Sequence, residues 1–276
     1  MIKRTLGALF AGMLLFILPA NALAQSSGSA PGSSARQSRQ LADKEYFTRG
    51  QYLAFAAPWC ADRNKELTIG RDLHASIALD PDRFPAGVTI RSHAPSHDPG
   101  RYGCGVYAYN HVAFGNYNDG SARQPVVPAQ VKAIGRLSAD FDLRFSGDGQ
   151  FNVLQEFFLT RNAGSHRRQV LEIGYFLHAS DTALRFARGG RGYRDYTDPQ
   201  GRVWKMYRVQ RFLMLFPADG DLASGSIDIG HLLNELVARK LLTGDEWFNG
   251  LGLGVEPVEG DSTLHIGNWR VDYDPR

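Results

Sequence analysis

An all-β sandwich carrying one amphipathic helix is the fold class this sequence predicts. Three observations lead there. Hydrophobic residues recur with a period of two through most of the second half, Gly-rich turns separate the alternating runs, and one isolated segment has a helical period.

The first 24 residues are read as a leader and not as part of the fold. Lys3 and Arg4 precede an apolar run from Leu6 to Leu18, and "PANALA" then ends in the small-x-small site Ala22-Leu23-Ala24. The run is too short to span a bilayer comfortably. Export by a cleaved signal peptide, to the periplasm or the medium, is therefore expected, with no membrane attachment afterwards. Residues 25–42, rich in Ser, Gly and Ala, are expected to be a flexible linker, and residues 43–276 a single domain. Losing Lys3 and Arg4 takes the formal charge from +3 to +1, which gives no electrostatic preference for nucleic acid. A monomer is expected.

Cys60 and Cys104 are the two cysteines of a chain bound for an oxidising compartment, and they are expected to form a disulfide. Between them, "AGVTIRSH" (86–93) reads as a strand and "SHAPSHDPGRYGCG" largely as loop. Pro95 separates His93 from His97 and disfavours the helix that an i, i+4 metal pair needs, so no metal or cofactor is expected.

The alternating runs begin at "ADFDLRF" (139–145), with Phe141, Leu143 and Phe145 on one face. After the turn "SGDGQ", "FNVLQEFFLT" (151–160) places Val153, Gln155, Phe157 and Leu159 opposite Asn152, Leu154, Glu156 and Phe158. In "QVLEIGYFLHAS" (169–180), Leu171, Ile173, Tyr175 and Leu177 form an apolar row, with Glu172, Gly174, Phe176 and His178 on the other face. "VWKMYRVQRFLMLF" (203–216) continues the pattern. "SGSIDIGHLLNELVARKLL" (224–242) has Ile229, Leu232, Leu233, Leu236 and Val237 at helical spacing, with Ser226 or Asp228 available as N-cap. "WFNGLGLGVEP" (247–257) and "STLHIGNWRVDY" (262–273) close the domain as strands, and Trp204 and Trp269 read as sandwich core.

Two carboxylates stand out on this pattern. Gly250, Gly252, Gly254 and Glu256 share one strand face, and Glu172 has Gly174 beside it. Glycines in strand interiors weaken the strand and mark places where something lies close to the backbone. Two carboxylates on a cleared sheet face are what glycoside hydrolysis needs. An ordinary exposed Glu on a solvated face remains the alternative at each position.

From about residue 105 to 273 the chain resembles the family-12 glycoside hydrolases. "AFGNYND" (113–119) resembles an early strand of the family, "FNVLQEFFLT" its Asn-Val-x-x-Asp-Leu-Phe strand, and "LEIGYFL" its Glu-Leu-Met-Ile-Trp-Leu strand. "GSIDIGHLLNEL" is similar to its helix, and "GVEPVEGDSTLHIGNWRV" to its closing Gly-Thr-Glu-Pro-Phe-x-Gly stretch. The resemblance implies a concanavalin-like β-jelly-roll sandwich and retaining hydrolysis of β-1,4-glucan, whether cellulose-like, mixed-linkage or xyloglucan. It implies Glu172 as nucleophile, Glu256 as general acid/base and Glu156 as a helper where the family has Asp. Gly174 and Phe176 replace the family's Met and Trp, and its Asn-x-Trp-Gly motif has no counterpart in 43–104. Trp59, Tyr107, Tyr109, Tyr117 and Phe176 are the candidate sugar platforms in its place, and His178 is a further candidate contact. Two rivals stay open: a non-catalytic glycan-binding or envelope protein on the same sandwich, and a hydrolase of a different polysaccharide linkage.

Overall fold

The computed structural model describes residues 38–117, 126–165 and 168–276. The expected leader and residues 25–37 of the expected linker lie outside them. The alternating rows fold as two sheets packed face to face, with strands numbered in chain order. One sheet runs β1 (Arg39–Leu41), β4 (His74–Leu79), β5 (Val88–Ala94), the second half of β17 (Gly250–Pro275), β8 (Ile134–Gly147) and β15 (Ser224–Asp228). The other runs β2 (Tyr46–Arg49), β3 (Tyr52–Phe55), β6 (Asn110–Gly115), the first half of β17, β9 (Gln150–Thr160), β10 (Gln169–His178), β14 (Phe212–Pro217) and β13 (Val203–Val209). Two-residue strands β11 (Arg191–Gly192) and β12 (Tyr196–Thr197) border β13, while β16 (Trp247–Phe248) pairs with β7 (Ala129–Gln130) and β9. All pairings are antiparallel except β10 with β14.

The strand β17, 26 residues long, belongs to both sheets. Gly260 sits where it passes from one to the other, with φ at +71° and a would-be Cβ 2.9 Å from the Gly149 Cα. Only glycine fits that combination without strain. The predicted apolar rows supply the core: Leu171, Ile173, Tyr175 and Leu177 join Val153, Phe157, Leu159, Leu251, Leu253 and Val255. Trp204 and Trp269 are buried among them. Burying each such side chain contributes about 1.5–3 kcal/mol relative to exposure.

The segment of helical period divides in two. Ser224–Asp228 pairs with β8 as β15, and the helix proper, α4 (Ile229–Ala238), starts where the Asp228 carboxylate accepts from the His231 N–H. Ile229, Leu232, Leu233 and Leu236 are buried. The structure adds helices that the period did not disclose: α1 (Trp59–Arg63), α2 (Pro99–Tyr102) and α3 (Asp181–Arg188). Of α3 only Ala187 is buried; its local signals are the Ser180 N-cap, Asp181 in the first turn and Arg185 and Arg188 in the last, with barely two turns to carry a period. Arg39–Leu41, expected in the flexible linker, instead pairs with β4 and buries Leu41. One apolar residue in a polar stretch became ordered because a strand edge was available to it.

Cys60 and Cys104 form the expected disulfide, which ties α1 to the loop before β6. Both are buried beside Leu67, Leu73, Ala94 and Tyr107. Tyr107 itself is packing, with its hydroxyl donating to the Ser96 carbonyl at 3.1 Å.

Candidate active site

β9 is the spine of the site. Its alternation puts Asn152, Leu154, Glu156 and Phe158 on the face away from the core, as the period of two predicts. β17 lies on one flank with Glu256 opposite Asn152 and Gly252 opposite Glu156. β10 lies on the other flank with Glu172 opposite Phe158 and Gly174 opposite Glu156. Glu156 therefore has a glycine beside it on both neighbouring strands. Register shifts between Gln169 and Leu171, just before Glu172, and between Pro257 and Glu259, just after Glu256, bend the ladder beside each carboxylate. Bulges of this kind re-aim side chains.

The sequence suggested that the glycines leave room for a ligand against the backbone. In the structure the protein fills that room itself. A Cβ at Gly252 would lie 3.1 Å from the Tyr109 ring and 3.3 Å from the Tyr117 ring, and one at Gly174 would lie 2.9 Å from the Phe212 ring. At Gly254 it would meet the Asn110 carbonyl oxygen at 2.4 Å. Gly252 makes room for two tyrosines, of which Tyr117 donates its hydroxyl hydrogen bond to the buried carboxyl of Glu156. Tyr109 donates to the Leu154 carbonyl at 3.2 Å.

Burial dominates the electrostatics. It pushes the Glu156 carboxyl well above its ordinary range, reinforced by the charges of Glu172 and Glu256 and opposed by the Tyr117 hydrogen bond. Glu172 is pushed up to about 7 by burial, with the Arg211 guanidinium pulling it back down. Glu256 is pushed up to about 7 by burial, opposed by a hydrogen bond from Asn152 and raised further by the charge of Glu172. Three carboxyls so close share their protons as a set. Arg211 favours charge on Glu172, the Asn152 hydrogen bond favours it on Glu256, and a charge on Glu172 disfavours a second one on Glu256.

Glu172, Glu256 and Trp59 line two adjoining cavities, of about 410 and about 470 Å³, which meet at the carboxyl pair. Trp59 carries the Arg63 guanidinium 5.1 Å above its ring. Tyr109 and Tyr117 line the larger cavity but are only 6% and 5% exposed, so they present edges and not open faces. Phe176 lies under the smaller cavity, stacked 4.7 Å from Phe216. His178 is not brought to the cleft. The register shift between Phe176 and His178 breaks the alternation and puts His178 opposite the core-facing Val153. It packs on Phe151 and Phe145 and bonds to Asp221 at 2.8 Å.

Residues the sequence did not single out complete the site. Asn152 donates to Glu256 at 3.0 Å, and the alternation had already placed it on the Glu156 face. Arg211 and Phe212 arrive through the parallel pairing of β14, and Ala183 and Phe186 through α3, whose Ser180 N-cap and matched end charges were the signal that could have found it. Such an arrangement can hold one carboxyl ionised and a second protonated on either side of a bound molecule.

No family model matches the sequence, and no curated protein sequence matches it. Solved structures do. A native family 12 xyloglucanase from Bacillus licheniformis superimposes with a TM-score of 0.67 at 16% identity, covering 86% of this chain and 100% of that one. Endoglucanase 3 of Trichoderma harzianum, from the same family, gives 0.67 at 15% identity over 88% and 100%. Endoglucanase Cel12A from Rhodothermus marinus gives 0.65 at 14% over 86% and 100%. The chain has the jelly-roll fold of the family-12 glycoside hydrolases, as the resemblance in its sequence implied.

Proposed function

We propose that the chain is a divergent family-12 glycoside hydrolase, exported by its leader, that cuts β-1,4-linked glucan internally with retention of configuration. The observation that carries this reading is geometric. Glu172 and Glu256 stand on the two strands that flank β9 and line the same cleft, with Asn152 bonded to Glu256 at 3.0 Å.

In this reading the Glu172 carboxylate attacks the anomeric carbon as the glycosidic C–O bond breaks. Glu256 gives its proton to the departing oxygen. A covalent glycosyl ester of Glu172 results. Glu256, now ionised, takes a proton from water, whose oxygen attacks the same carbon and releases Glu172. Glu156, whose burial favours the protonated form, orients Glu172. Trp59 supplies a half-buried ring that lines both cavities and against which a sugar face can stack.

The test is reducing-end release from mixed-linkage β-glucan, carboxymethyl cellulose and xyloglucan by the wild type, Glu172→Gln and Glu256→Gln. Loss of activity by about 10²–10⁴-fold or more in each variant is expected. Unchanged activity in either would remove that residue from its role, and wild-type inactivity on all three polymers would favour a glycan-binding protein or another linkage.

A further inference from the structure

The two halves of the cleft differ in chemistry. On one side of the carboxyl pair, Arg63, Tyr109, His111, Tyr117, Glu156 and Gln169 line the wall. On the other, the cavity of about 410 Å³ is walled by Val106, Phe176, Phe186, Phe212, Met214 and Val258. A hydroxyl-rich sugar residue needs a partner for each hydroxyl it buries, and an unpaired one weakens binding.

The polar side chains of the apolar half are nearly all committed elsewhere. Beyond Glu172 and Glu256 they are Asn152, Thr182 and His97. Asn152 accepts from both the N–H and the hydroxyl of Ser180 and donates to Glu256. The Thr182 hydroxyl donates to Gln150 at 2.9 Å and accepts from Arg185 at 3.0 Å. His97 Nδ1 alone has no hydrogen-bond partner among the described residues. Beyond the two carboxyls, a glucosyl unit finds few free side-chain partners for its hydroxyls on this wall.

Phe186, on α3, is 55% exposed at this wall, while the helix faces it with Ala183 as well. We infer that this half of the cleft receives a sugar residue whose hydroxyls are O-acetylated or carry longer acyl esters, so that the substrate is an acyl-decorated glucan cut beside its decoration. Esterification removes the hydroxyl donors that the wall cannot satisfy and adds apolar carbon that it can bury. The cutting rests on the hydrolase reading above, but the binding does not.

Affinity separates the two. Titration calorimetry of Glu256→Gln is run with partially O-acetylated cello-oligosaccharides and with the same mixture after mild alkaline de-esterification, beside turnover of both by the wild type. At least about fourfold tighter binding of the esterified mixture is expected, the value of one buried methyl group. In Phe186→Asp, a surface change that leaves the core untouched, that ratio falls toward one. Equal binding, no binding of either mixture, or preference for the de-esterified one overturns the inference whatever the turnover shows. A preference undiminished in Phe186→Asp overturns the assignment to this wall. Preferential binding without turnover by the wild type keeps the inference and removes the hydrolase.

Discussion

Asn152 stands directly across the β9–β17 ladder from Glu256 and donates its Nδ2 hydrogen bond to Glu256 Oε2 at 3.0 Å. Its own carbonyl is held by Ser180, the N-cap of α3, at 2.9 and 2.8 Å. The amide therefore has its orientation set from one side and sets a carboxyl on the other. It also links the helix that walls one half of the cleft to the proposed acid/base.

That link has a signature in pH. A donor to the ionised carboxylate stabilises charge, so Asn152 holds the Glu256 value down. Asn152→Ala should raise it, moving the alkaline limb of the kcat/KM profile to higher pH while activity falls by about tenfold or more. A profile that drops in height with its alkaline limb unmoved would show that Asn152 does not tune Glu256.

Stability should fall as pH rises. Glu172 and Glu256 titrate near 7 in the folded chain against a usual 4.5, and Glu156 is held well above that value too. The native state thus binds more protons than the unfolded one, and the stabilisation is complete below about pH 4.5 and lost through about pH 7. Wild-type Tm is expected to decline from pH 5 to pH 8. Glu156→Gln, whose amide oxygen can still accept from Tyr117, should decline less and melt above the wild type at pH 8. A variant melting below the wild type at that pH would contradict the burial of a proton on Glu156.

The glycines of β17 should differ sharply when replaced. Gly254→Ala drives a Cβ to 2.4 Å from a backbone oxygen, which cannot move without breaking the ladder, and should cost about 3 kcal/mol or more. Gly252→Ala meets only the Tyr109 and Tyr117 rings, so its loss of stability should be smaller. Its effect should appear instead in activity, because Tyr117 is displaced from Glu156. Denaturant melts of the two variants beside wild-type turnover would show the split.

Replacing Cys60 and Cys104 together by Ser opens a link across 44 residues of sequence. The chain-entropy model puts the loss at about 4 kcal/mol. Trp59 adjoins Cys60 in α1, so the cleft wall should loosen as well, raising KM more than it lowers kcat. Equal effects on both constants would place Trp59 outside substrate binding.

What the sequence alone determined is what depends on neighbours along one strand. The period of two in β9, β10 and β17 sorted core from the opposite face of each strand, so Glu172 and Glu256 stood out there, while Glu156 was singled out by the family resemblance. Tertiary structure decided what depends on neighbours across strands. The space beside Gly252 is filled by tyrosines from just before and just after β6 and that beside Gly174 by Phe212, Arg211 reaches Glu172 through a parallel pairing, and Asn152 meets Glu256 only through register. His178 lost its predicted face because one register shift inverts the alternation after it, and a shift of one residue leaves no mark in the hydrophobic pattern of so short a strand end. The side-chain period is a property of the backbone of a single strand. Register, bulges and the aromatic side chains that fill a glycine's empty space belong to pairs of strands, and only folding brings those together.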